Sequence, residues 1–235
     1  MSYLPLYIDT SGKKCLIIGG GKVASRKLVP ILKSKMHVTM ISPEIHNEIL
    51  EFVKDKDIFE YHSREFLDKD ITDQFLIVAA TNNKEVNALA VKIANKKNIL
   101  INMAENSESG NTLIPSVVDR DPIKIAISSG AASPILTRLV KTKLETVIPY
   151  SFSKLALIMI EYRSKVKKTY EKILDRRNFW EAFLEGPISE MILSGHIDKA
   201  KKALDDSLKQ KKLPNQVGEV YLVGSGPGDP ELLSF

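Results

Sequence analysis

Between residues 14 and 103 short apolar runs alternate with amphipathic stretches at helical spacing, a pattern that predicts a parallel sheet with helices on both faces. The apolar runs predict strands at about 14–18, 37–41, 57–61, 75–79 and 99–103. Helices are predicted between them near 22–34, 44–54 and 83–97. Pro30 lies inside the first of these, where the loss of one backbone hydrogen bond is expected to kink or shorten the helix.

Past residue 110 the pattern changes. Leu113 to Val118 and Ile123 to Ser128, joined by Asp119-Arg120-Asp121-Pro122, predict a hairpin. Ser133-Pro134 then supply an N-cap and a first-turn proline for a helix with the apolar stripe Ile135, Leu136, Leu139, Val140, Leu144, Val147 and Ile148. A hairpin and one helix enclose too little core to stand alone, so this segment is expected to pack on the first domain or, preferably, to form a dimer interface. From Tyr150 to about Gln210 the chain reads as helical, with breaks at Gly186-Pro187 and Ser194-Gly195. The expected architecture is therefore α/β: a Rossmann-like parallel sheet over 1–112, a small α+β dimerisation region over 113–149, a helical domain over 150–210 and a linker and terminal segment over 211–235.

The turn behind the first strand, Gly19-Gly20-Gly21-Lys22-Val23-Ala24, reads G-x-G-x-x-A. In a dinucleotide site one glycine allows the tight turn, another lets backbone approach a pyrophosphate, and the small third residue lets helix pack on strand. Gly19 and Gly21 would play the first two parts, with the amides of Gly21, Lys22 and Val23 facing the phosphates at the positive end of the helix. A glycine-rich connection without a ligand would show the same residues. After the second strand come Ser42, Pro43 and Glu44; an acid there would bind ribose hydroxyls and reject a 2′-phosphate, and no arginine stands beside it, which favours NAD over NADP. Thr81 and Asn82, after the fourth strand, would approach the nicotinamide side or serve as a turn and cap. Ser128, Ser129 and Gly130 precede the Pro134 helix, where their hydroxyls and amides would hold substrate carboxylates or simply cap it.

Composition removes several alternatives. The 235 residues carry 34 Lys+Arg against 29 Asp+Glu, a net charge of +5 that suits a polyanionic small molecule better than nucleic acid. The single cysteine, Cys15, sits in the first apolar run, so no intrachain disulfide forms and a reducing cytoplasm is expected. No apolar run is long enough to span a bilayer, so a soluble protein without a membrane partner is expected. The histidines show no metal-site spacing, and no metal ligands are assigned. Arg163, Lys165, Lys167, Lys168, Lys172, Arg176 and Arg177 cluster around Tyr162, Tyr170, Phe179 and Trp180, either as a solvated face or as an anion-binding wall.

Four segments together carry a family resemblance: Leu4-Pro5-Leu6-Tyr7, the glycine turn, Asn102-Met103-Ala104-Glu105, and Leu113 to Arg120 running into Ile127 to Pro134. In this order, and on through Arg176-Arg177-Asn178-Phe179-Trp180, the chain resembles the precorrin-2 dehydrogenase and sirohydrochlorin ferrochelatase module of siroheme synthase. The segment from Gly218 to Pro230 resembles the opening strand and loop of the uroporphyrinogen-III methyltransferase that follows this module, and reads as a stub of that domain. The resemblance implies that NAD takes a hydride from precorrin-2 and that ferrous iron, as a substrate, is then inserted into sirohydrochlorin. It implies a tetrapyrrole substrate and a homodimer. The family has an aspartate just beyond the fifth strand; Glu105 stands here, keeping the carboxylate as catalytic group but adding a methylene. Asn102 and Ser128 to Gly130 would contact substrate, and a phosphate on Ser129 would repel it. A dehydrogenase without chelatase activity, or a non-catalytic NAD-sensing domain, are the competing readings.

Overall fold

In the computed structural model, which describes residues 3–54, 56–104, 109–130 and 132–214, the five apolar runs form one parallel sheet. Its strands are β1 (Lys14–Ile18), β2 (His37–Ile41), β3 (Phe59–His62), β4 (Leu76–Ala79) and β5 (Leu100–Met103), in the order β3-β2-β1-β4-β5. β1 pairs with β2 from Lys14↔His37 to Ile18↔Ile41 and with β4 from Cys15↔Leu76 to Ile18↔Ala79. The order reverses at β1, which places the opening between its carboxyl end and that of β4, where open α/β sheets bind ligands.

Residues 15–18 of β1 and all of β4 are continuous apolar runs, as strands covered on both faces are. On one face Cys15, Ile17, Val38, Met40 and Val78 pack with Ala24, Leu28 and Ile31 of α1 (Lys22–Lys33). On the other, Leu16, Ile18, Ile77 and Ile101 pack with Ala90 and Ala94 of α3 (Lys84–Lys96). Burial pushes the Cys15 thiol up to about 12, so it stays protonated and packs as a small apolar group.

Local details depart from the expected spans. α1 runs through Pro30 to Lys33, because a proline one turn before the end costs a single bond and Ser34 closes the helix on the Pro30 and Ile31 carbonyls. α2 occupies Asn47–Val53 instead of starting at 44, because the preceding loop is pinned elsewhere: Tyr61 Oη donates to the Ser42 carbonyl at 2.9 Å, and the His46 amide to that of Gly20 at 2.8 Å. The hairpin strands are β6 (Ser116–Arg120) and β7 (Ile123–Ile127), so the first begins three residues later and runs through Arg120. α4 (Pro134–Val147) starts as expected, with Ser133 Oγ accepting from the Leu136 amide at 3.2 Å.

By contact the chain divides into two units, one of residues 1–117 and 126–142, the other of 118–125 and 143 onward. In the second unit α5 (Ser151–Thr169), α6 (Ile173–Glu185), α7 (Pro187–Leu193) and α8 (Ile197–Gln210) enclose a core of Tyr162, Val166, Phe179, Phe183, Ile192 and Leu204. A further break, at residues 170–172, separates α5 from α6. The aromatic residues once grouped with the basic cluster belong to this core: Phe179 contacts Tyr170 and Trp180 at ring-centroid distances of 5.4 Å. Within the basic cluster, Lys165 pairs with Asp205 at 2.9 Å and Arg177 with Glu181 at 2.7 Å, both exposed to solvent. Arg120 is buried in the same unit, its Nε on the Ile148 carbonyl at 2.8 Å and its guanidinium 4.1 Å from the Tyr150 ring. None of the helices among the described residues is long and apolar enough to cross a membrane.

Candidate functional site

A cavity of about 480 Å³ opens at the carboxyl ends of β1, β2 and β4, lined by Gly19, Gly20, Gly21, Ser42, Glu44, Ile45, His46, Asn47, Ala80, Thr81 and Asn82. The three glycines serve different needs. Gly19 has φ +109°, and a Cβ there would run into the Ala80 carbonyl group. A Cβ on Gly20 would strike the Glu44 carbonyl oxygen and come within 3.1 Å of Ile45 Cα. Both residues are thus required by the protein's own backbone.

Gly21 is required by neither its backbone nor its packing. Its φ of −81° and ψ of −174° suit any residue, and a Cβ would meet no protein atom within 4 Å. It lies exposed on the cavity wall as N-cap of α1, with no side-chain cap and no acidic residue in the first turn. The Ser25 amide is the first to bond back, to the Gly21 carbonyl at 3.0 Å, leaving the amides before it available to an anion. The residues present therefore fit a pyrophosphate that comes against bare backbone.

Glu44 sits in the loop after β2, held by Ser63 Oγ donating to the Pro43 carbonyl at 3.1 Å and by the Tyr61 and His46 bonds. No lysine or arginine lines this cavity among the described residues. Arg64, just past β3, is held in a two-pronged pair with Asp70 at 2.7 and 2.8 Å. Thr81 is a brace: its Oγ1 accepts from the Asn83 amide at 3.0 Å, while Asn83 caps α3 and Asn87 Nδ2 donates to the Thr81 carbonyl at 2.8 Å. Asn82 is the exposed member of the pair. Pro43 lines an adjoining slot of about 210 Å³ with Ile18, Ile41 and Phe66. Lys22 and Val23 stand in the first turn of α1 but do not line the cavity.

A second cavity, about 250 Å³, brings Asn102, Ser128 and Ser129 together with Lys27, Met103, Ile114, Pro134 and Thr137. Ser129 Oγ accepts from the Ser133 amide and donates to its carbonyl, both at 3.1 Å, and so holds the loop to the start of α4. Ser128 Oγ accepts from the Gly130 amide at 3.1 Å; Gly130, at φ +61°, shapes the turn and does not line the cavity. Asn102 is 2% exposed; its Nδ2 donates to the Thr112 carbonyl at 3.0 Å, and its Oδ1 accepts nothing among the described residues. Glu105 and the segment from Gly218 to Pro230 lie outside the described residues. Lys27 was missed by sequence reasoning, although a signal exists: Ala24, Lys27, Leu28 and Ile31 follow i, i+3, i+4, i+7 spacing, which puts a lysine in the buried stripe.

Residues 6–116 match the family described as "Putative NAD(P)-binding", and residues 151–208 the "Sirohaem synthase dimerisation region". Over its whole length the chain is 42% identical to siroheme synthase of Ruthia magnifica and 39% identical to that of Nitrosospira multiformis, covering 49% and 50% of those proteins. A solved structure titled "SirC, precorrin-2 dehydrogenase" shares the fold, with a TM-score of 0.72 at 24% identity over 88% of this chain and all of that one. The chain spans about half the length of the curated relatives it matches, and over its whole length it is similar to that half of the siroheme synthases.

Proposed function

We propose that this chain binds NAD in the 480 Å³ cavity and oxidises precorrin-2 to sirohydrochlorin, a step toward siroheme, with insertion of ferrous iron as a second reaction on the same protein. The observation that carries this reading is Gly21, an exposed glycine on the cavity wall that neither conformation nor packing demands. The free amides at the start of α1 hold the pyrophosphate, and Gly19 and Gly20 keep the turn tight enough to present them. Glu44 accepts the ribose hydroxyls; with no cation in the lining to meet a 2′-phosphate, NAD is preferred to NADP.

When bound, NAD supplies the hydride acceptor. Oxidation removes one hydride and one proton from the tetrapyrrole, and insertion of iron releases the pyrrole protons. A positioned carboxylate serves both steps as proton acceptor, and Glu105 is the residue at the family's aspartate position. The cavity lined by Asn102, Ser128 and Ser129 receives the substrate.

The apolar stripe of α4 supports the homodimer. Ile135 is 81% exposed, and Leu136, Leu139 and Val140 are exposed beside it, a patch that a second copy would cover. The same reading divides the chain into an NAD domain at 1–112, a dimerisation region at 113–149, a helical domain at 150–210, which is the part that matches the sirohaem synthase dimerisation region, and a linker with a methyltransferase-like segment at 211–235. Anaerobic incubation with precorrin-2 and NAD tests the first step through the appearance of reduced nicotinamide. Ferrous iron added to sirohydrochlorin tests the second through the change in pigment absorbance.

A further inference from the structure

Two polar side chains of the first unit, the half-buried Lys27 and the buried Asn102, are left with unmet polar groups among the described residues. Lys27 is half-buried on α1 beside the buried Ala24 and Leu28, and it makes no ion pair or hydrogen bond among the described residues. Asn102 lies in the four-residue run Leu100-Ile101-Asn102-Met103 of β5, 2% exposed, with Oδ1 unmatched among the described residues. Either feature alone destabilises the fold, since a half-buried ammonium and a buried orphan carbonyl each lose hydration without compensation. Methionine at 27 would pack at lower cost. Lys27 and Asn102 line the same 250 Å³ cavity.

The chemistry of that cavity is specific. Its lining carries one charge among the described residues, the Lys27 ammonium, which burial holds below the ordinary lysine pKa. Ser128 Oγ already accepts from the Gly130 amide, so its proton is left to donate. Ser129 is occupied by Ser133 and is not part of the recognition set. Among the described residues Asn102 Oδ1 is an acceptor without a donor. The complement is a group with a carboxylate beside an N–H, framed by the apolar surfaces of Met103, Ile114 and Pro134.

We propose that Lys27 and Asn102 are the recognition pair for one carboxylate-bearing pyrrole edge of the substrate. The Lys27 ammonium and the Ser128 hydroxyl bind the carboxylate arm, and Asn102 Oδ1 accepts from the pyrrole N–H. A pyrrole with its acid arm matches a cavity of this size, whereas a whole tetrapyrrole exceeds it, so the remaining rings lie outside. This assignment rests on the tetrapyrrole reading above.

The test measures sirohydrochlorin binding by pigment absorbance, and NAD binding by calorimetry, for the whole chain and for Lys27→Met, Lys27→Arg and Asn102→Leu. Lys27→Met is expected to weaken sirohydrochlorin binding by about tenfold or more, the usual worth of a hydrogen bond to a charged group. Lys27→Arg should restore most of the loss, added salt should weaken the parent more than Lys27→Met, and NAD affinity should be unchanged in both. In turnover the loss should fall on KM for precorrin-2 and not on kcat. Asn102→Leu should weaken pigment binding; because it also removes the Asn102 Nδ2 bond to the Thr112 carbonyl, its unfolding temperature and NAD affinity are measured beside it to separate lost binding from lost stability. If the parent binds sirohydrochlorin and Lys27→Met, folded and still binding NAD, binds it equally well, the recognition pair is wrong while the functional reading stands. If the parent binds no sirohydrochlorin and turns over no precorrin-2, the functional reading fails and takes this assignment with it.

Discussion

Gly19 and Ala80 meet backbone to backbone where β1 and β4 end: a Cβ on Gly19 would lie 2.8 Å from the Ala80 carbonyl carbon, and the residue sits at φ +109°. Two positions on, a Cβ on Gly21 would touch nothing. The two glycines therefore separate the requirements of the fold from those of the ligand. Gly19→Ala should destabilise the protein by about 1–3 kcal/mol or prevent folding, through strain and overpacking. Gly21→Val should fold with near-parental stability yet lose NAD affinity by about tenfold or more, because its branched side chain fills the space kept for the pyrophosphate. Thermal unfolding together with NAD calorimetry on the two variants checks the contrast; a folded Gly21→Val protein with parental NAD affinity would contradict it.

Glu44 is expected to set cofactor choice. Glu44→Gln removes a charged acceptor of ribose hydroxyls, and NAD binding should weaken by about 10–100-fold. The preference over NADP should shrink in the same variant, since the carboxylate that repels a 2′-phosphate is gone. Titrations with both cofactors measure the ratio, and an unchanged ratio would remove Glu44 from the site.

Acid sensitivity should depend on Asp70. Its carboxyl is held below the usual carboxylate value mainly by the Arg64 guanidinium, and further by the Leu67 amide, which donates to it at 2.8 Å. Because the folded value is depressed, the stabilisation is present above the unfolded value of 3.8 and is lost as pH falls through the folded one. Asp70→Asn should cost about 1–3 kcal/mol at neutral pH. Denaturant unfolding at neutral and at strongly acidic pH should show the parent and variant converging in acid; a constant gap would assign the loss to another cause.

How much of this was legible in the sequence depended on how local the determinants were. β1 and β2 fall on the expected residues because each is rich in apolar side chains, Thr39 and the exposed first residues Lys14 and His37 apart, and is bounded by glycine, lysine or proline signals. The start of α2 was not legible, because Tyr61 and the Gly20 carbonyl, distant in sequence, hold residues 42–46 away from the helix. Gly19, Gly21, Ser42, Glu44, Thr81 and Asn82 do meet at one cavity, since strand-end residues of a parallel sheet converge by topology. The separate purposes of Gly19 and Gly21 emerge only from the neighbour that one has and the other lacks. Lys27 and Asn102 left a trace as polar residues in apolar patterns, but that trace does not say they share a cavity.

Glu105 is expected to act as the proton acceptor. Glu105→Gln should keep the fold and NAD affinity while lowering precorrin-2 oxidation by about two orders of magnitude, the lower range for a general base. Glu105→Asp distinguishes a loop that retains the family's geometry, in which both reactions persist or improve, from one rebuilt around the longer side chain, in which both fall. Assaying iron insertion from sirohydrochlorin isolates the second role, because that step needs no hydride acceptor.

The most direct test of the central claim is oxidation of precorrin-2 by the chain itself, followed anaerobically through reduced nicotinamide with NAD and, separately, with NADP. One reduced nicotinamide should form per precorrin-2 consumed, with sirohydrochlorin as product and NAD the better acceptor. Tight NAD binding with no consumption of precorrin-2 would contradict the account and favour a nucleotide-sensing domain.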